Sequence, residues 1–111
     1  MIIRSWRAVA ASEEVVKAYA DHLKRSTFKE MARLSGHIGA CLSSKRNGDR
    51  FVLLVMSFWK DMDAVRQFSP GSVDDAVVKP STQKLLEEFD LKVEHFEVLV
   101  KSGSVLGSST E

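Results

Sequence analysis

One segment of the chain is apolar on two faces at once. Phe51-Val-Leu-Leu-Val-Met-Ser-Phe-Trp59 has the length of a single strand, and successive side chains of a strand point to opposite sides of its sheet. Phe51, Leu53, Val55, Ser57 and Trp59 line one side, and Val52, Leu54, Met56 and Phe58 line the other. A strand with one wet face would alternate apolar and polar residues, so both sides of this sheet require a cover.

The remaining elements follow from the same reading. Ile2 to Ala10 reads as a strand. Ser12 is placed to cap a helix, with Glu13 and Glu14 at the positive end of its dipole. Val16, Tyr19, Ala20, Leu23, Thr27 and Met31 recur at helical spacing, and Ser35-Gly36 ends the run. Gly36 to Arg46 is a second strand. Asn47-Gly48-Asp49 is a turn that makes it an antiparallel neighbour of the two-faced strand. Asp61 caps a short helix carrying Ala64, Val65 and Phe68, which Pro70-Gly71 stops. Ser72-Val-Asp-Asp75 resembles a capping box, so another helical turn or two is expected through Val78. A further short helix is expected over Ser81 to Glu88, and a last strand over Asp90 to Val100.

The order β-α-β-β-α-β is that of the split βαβ, or ferredoxin-like, α+β unit. It predicts a four-stranded antiparallel sheet with helices on one face only. The bare face of the third strand would then be apolar, and such a patch marks an interaction surface. The same face of a second copy is the simplest cover. A homodimer is expected, with sheet packed on sheet as a dimeric α+β barrel. Residues 1–100 form the domain, and the Ser/Gly-rich residues 101–111 are expected to be a flexible tail.

Composition adds exclusions. With 16 basic and 15 acidic residues, the net charge of +1 gives no electrostatic reason to expect nucleic acid or an anionic membrane as partner. The longest uninterrupted apolar run, Phe51 to Met56, is far short of the roughly 20 residues that span a bilayer. The start, Met-Ile-Ile-Arg-Ser-Trp, lacks the features of a secretory signal, so a cytoplasmic protein is expected. A single cysteine, Cys41, excludes an internal disulfide. The three histidines show no paired ligand spacing, which argues against a metal site. No phosphate-binding glycine loop or nucleotide fingerprint is present.

Several features, taken together in order, resemble the antibiotic biosynthesis monooxygenase domain family over about residues 2 to 100. They are Trp6 in the first strand, Tyr19 and His22 on the helix, and Gly36-His-Ile-Gly39. The strand end Ser57-Phe-Trp59-Lys with Asp63-Ala-Val follows, then Ala76-Val-Val-Lys-Pro80 and Val93-Glu-His-Phe-Glu-Val-Leu99. The resemblance implies the dimeric barrel fold. It also implies oxidation of a small phenol or quinol by molecular oxygen, with no metal, flavin or other cofactor. The haem-degrading branch resembles this chain at Trp59. That branch also uses an asparagine in the first strand and a histidine after the tryptophan. The first strand here has Ser5 and Arg7 but no Asn, and residues 60 to 89 contain no His, so haem degradation is rejected.

The space between helices and sheet is where this fold would hold a ligand. Trp6, Tyr19, Trp59, Phe68 and Phe96 are expected to shape it, with His22 or His95 as the base that takes a phenolic proton. Each has a plainer reading. The aromatics also suit a core, His22 a solvent edge, and His95 a structural hydrogen bond. A non-catalytic binding module for a small hydrophobic molecule and a solid structural dimer are therefore the competing readings.

Overall fold

The computed structural model describes residues 1–103. Strand β1 (Ile2–Ala10) leads into α1 (Glu13–His22), a π-helical segment (Leu23–Thr27) and α2 (Phe28–Ala32). The hairpin β2 (His37–Asn47) and β3 (Arg50–Trp59) follows, then α3 (Met62–Phe68), α4 (Pro80–Leu85), β4 (Glu88–Phe89) and β5 (Glu94–Glu97). The sheet is antiparallel and open, in the order β2-β3-β1-β4, with β5 also on β1. This is the ferredoxin-like α+β arrangement. The expected tail falls, beyond Gly103, outside the described residues.

Local chemistry fixes the helix starts. The Ser12 hydroxyl accepts from the Val15 N–H at 3.3 Å, and the Asp61 carboxylate accepts from the Ala64 N–H at 2.9 Å. Pro80, with no N–H to satisfy, opens α4. In the hairpin Asn47 pairs with Arg50, so Gly48 and Asp49 form the turn. Gly48 takes φ +67°, as the mirror-image hairpin turns require.

The β1–β3 register defines the two faces. Ile2, Arg4, Trp6, Ala8 and Ala10 lie opposite Trp59, Ser57, Val55, Leu53 and Phe51, on the side the helices cover. Ile3, Ser5, Arg7 and Val9 lie opposite Phe58, Met56, Leu54 and Val52, on the side without helices. The covered side holds two core clusters. One contains Ala8, Ala10, Tyr19, Leu23, Leu53, Val55 and Leu86, and the other Met31, Trp59, Ala64 and Val65.

Two expectations are corrected. Residues 72–78 form no helix. The Asp75 backbone bridges to Lys92, Ala76 N–H donates to Leu91 O, and Val93 N–H donates to Asp74 O, so tertiary bonds claim the groups a helix would use. The last strand is also broken. Ala8 faces Phe89 while Ser5 faces Glu94, so the strand beside β1 bulges outward between β4 and β5.

Candidate functional site

A cavity of about 50 Å³ lies at the seam of the two core clusters. Its floor is the sheet, through Arg4, Trp6, Val55 and Ser57. Its roof is the helix, through Tyr19, Leu23, Thr27 and Met31. Leu23 and Thr27 begin and end the π-helical segment, a widened turn of a kind that recurs at functional sites. The third wall brings Phe68 from the end of α3, and Val77 and Lys79 from the segment that joins α3 to α4. Pockets for drug-sized ligands usually exceed about 300 Å³. Admitting an aromatic ring therefore means moving that third wall, which has no helix between Phe68 and Pro80.

The structure brings Trp6, Tyr19 and Phe68 together around this space. Trp6 donates its indole N–H to Asp90 O at 2.7 Å and tilts against Tyr19 with ring centres 6.3 Å apart. Tyr19 is buried, and burial pushes its phenol far above the ordinary value of 10, so it stays protonated and acts as a donor, not a base.

The other expected residues lie elsewhere. Trp59 is fully buried behind the lining, donates to the Ser57 hydroxyl at 2.8 Å, and packs on His37 and Phe68. It sets the wall without reaching the cavity. Phe96 pairs with Ile3 on the side without helices and is half exposed. The strand period of two places it opposite to His95, which pairs with Arg4 on the covered side. His22 stacks on the outer side of Tyr19 at 6.3 Å, and its buried Nε2 has no hydrogen-bond partner among the described residues. Neither His22 nor His95 lines the cavity.

Arg4 is the functional candidate missed in the sequence. It is 4% exposed and lines the cavity from β1. One guanidinium nitrogen donates to Val73 O at 2.6 Å and the other to Asp75 O at 3.0 Å, which ties the third wall to the sheet. The first also donates to His95 Nε2 at 2.9 Å. The guanidinium carbon stands 5.7 Å from the centre of the Phe68 ring. Burial pushes the Arg4 pKa down to about 10, partly offset by Asp74, so it remains a cation at neutral pH. Trp6 on the covered face was the available signal, because Arg4 sits two residues away on the same side of the strand. Lys79 is the second cation of the lining, held by the Ser26 hydroxyl at 2.6 Å and the Glu30 carboxylate at 2.7 Å.

Two larger hollows, of about 220 and 360 Å³, open on the opposite face around Arg7, where the bulge parts β1 from its neighbour. They are shallow and polar. Among the described residues no helix is long and apolar enough to cross a membrane.

No protein-family model matches the sequence, and no curated protein matches it. Solved structures do. One is a protein of Deinococcus radiodurans provisionally assigned as an antibiotic biosynthesis monooxygenase. It superposes with a TM-score of 0.57 at 17% identity, over 93% of this chain and 97% of that one. At that identity the likeness establishes a shared fold along nearly the whole of both chains.

Proposed function

We propose that the chain is an oxygenase of the antibiotic biosynthesis monooxygenase type, binding a small phenol or quinol between helix and sheet. The observation that carries this is the cavity itself. Three aromatic side chains, Trp6, Tyr19 and Phe68, surround it, and its third wall is a helix-free segment. The structural likeness to the Deinococcus protein supports the type.

The chemistry needs no prosthetic group. An ionised, electron-rich ring passes an electron to oxygen, and the two radicals combine at carbon. On a phenol or quinol a ring C–H carbon takes up one oxygen atom as the ring is oxidised to the quinone level, and on a ring CH₂ that atom becomes a new carbonyl; in each case the other oxygen leaves in water. The substrate supplies all four electrons. Among the described residues the lining holds no histidine and no carboxylate, so the proposal places no protein base on the substrate. The same observation favours a second reading, a module that binds such a molecule without changing it.

The open face of the sheet supports a homodimer. Ile3, Val9, Val52, Leu54 and Met56 share it with the half-exposed Phe96, and no element of the described chain packs across it as a helix layer. Twofold packing of this face on a second copy would bury it.

Turnover of a quinol and hydroxyanthracene panel in air and under nitrogen tests the enzyme reading. Product that forms only in air is expected. Saturable binding with no product in air, at stoichiometric protein, would leave the binding module in its place.

A further inference from the structure

A buried charge needs a partner, and among the described residues no carboxylate contacts Arg4 directly. Its three acceptors, Val73 O, Asp75 O and His95 Nε2, are neutral, and its fourth neighbour is the face of Phe68. Among the described residues no carboxylate pairs with it. Asp74 acts on it by charge but makes no ion pair with it; its carboxylate stands 3.6 Å from His95 Nδ1. Buried cations are otherwise paired, because an isolated charge in an apolar setting is costly.

The cavity beside Arg4 has the same bias. Among the described residues its charged lining is Arg4 and Lys79, both cations, with no acid beside them. Lys79 already has Glu30 in direct contact, so Arg4 is the lining cation without a carboxylate in contact. The remaining polar groups, the Ser57, Thr27 and Thr82 hydroxyls and the protonated Tyr19, can all donate hydrogen bonds. Donors and cations gathered around an apolar space match an anionic oxygen on a flat apolar body.

We infer that Arg4 is the specificity-determining residue of this cavity and that it selects an aromatic molecule bearing an anionic oxygen, a phenolate, enolate or carboxylate. The inference rests on the cavity being the aromatic site proposed above. Replacing the neutral acceptors of Arg4 with that oxygen would also release Val73 and Asp75, so the anion that fills the cavity loosens the wall that closes it.

Para-nitrophenol is a suitable probe because its phenolate absorbs at a different wavelength from the neutral phenol. An opposite charge within a few ångströms lowers a pKa by about one to three units. Bound to the protein, the probe is expected to ionise about one unit lower than in buffer. Arg4→Gln should abolish that shift, and Arg4→Lys, which keeps the charge, should restore part of it. Benzoate against benzamide forms the second arm, with a preference of about tenfold or more for benzoate expected in the wild-type protein only. Bound probe that stays neutral, together with equal affinity for benzoate and benzamide, would overturn the inference whatever the variants do. Absence of any aromatic binding would overturn it together with the site. Failure of oxygen-dependent turnover alone, with the anion preference intact, would remove the enzyme reading and leave this one standing.

Discussion

The guanidinium of Arg4 donates a hydrogen bond to His95 Nε2 at 2.9 Å. A guanidinium can only donate, so Nε2 must offer its lone pair and the imidazole proton must sit on Nδ1, facing Asp74. His95 is thereby held neutral and in one tautomer. Its ring supports the Arg4 side chain, and its lone pair is already used.

The pH dependence of stability follows. Burial, then the Arg4 charge, lowers the His95 pKa below its ordinary value of 6.5, with Asp74 opposing. Burial lowers His37 as well. For both, the unfolded chain takes up the proton first as pH falls. Their contribution is therefore full above about pH 6.5 and is lost as pH drops through the lower folded values. The melting temperature should decline between pH 7 and 5, and His95→Gln with His37→Gln should flatten that decline. Calorimetry across the range checks it.

Removing the acceptor alone should be costly. His95→Leu leaves one Arg4 donor short of a partner, and such a loss is worth about 1–3 kcal/mol. Urea unfolding of the variant measures it. An unchanged midpoint would show that Arg4 does not depend on the ring.

Trp59 is predicted to act through packing. It is fully buried and bonded to Ser57, so Trp59→Ala should destabilise by about 3–5 kcal/mol. Trp59→Phe keeps most of the volume and loses the hydrogen bond, for about 1 kcal/mol. If Trp59→Phe abolished ligand binding in a fully folded protein, Trp59 would be a direct ligand contact after all.

Gly36 should tolerate nothing larger. It takes φ +88°, and an added Cβ would stand 2.6 Å from the Ala64 Cβ. Gly36→Ala should cost about 1–3 kcal/mol through backbone strain and the clash with α3. Thermal unfolding of that variant decides it.

The open sheet face gives a prediction of its own. Leu54 lies near its middle, opposite Arg7 on β1 and Ser43 on β2. Leu54→Lys should convert a dimer to a folded monomer in sedimentation equilibrium at micromolar concentration. A wild-type protein that is already monomeric there would refute the pairing.

Much of this architecture was legible in the sequence because periodicity and capping decide it locally. Ser12, Asp61 and the hairpin residues place their elements to within a residue or two. The two faces of Phe51 to Trp59 are those of β3. What was not legible depended on distant partners. Residues 72–78 look like a helix start until Lys92, Leu91 and Val93 take their backbone groups. Phe96 falls on the far face because the sheet register, unknown beforehand, decides between it and His95. Arg4 reads as a polar residue of a strand, and only the third wall folding over it makes it a buried cation.

The most direct test of the central claim is turnover of a quinol under isotopically labelled oxygen gas, with the wild-type protein and with Val77→Trp, which enlarges a half-exposed side chain of the cavity's third wall. The account predicts a product carrying one labelled oxygen atom from the wild type, and at least a tenfold loss of rate in a Val77→Trp variant that melts at the wild-type temperature. Product without label, or undiminished turnover in that variant, would contradict it.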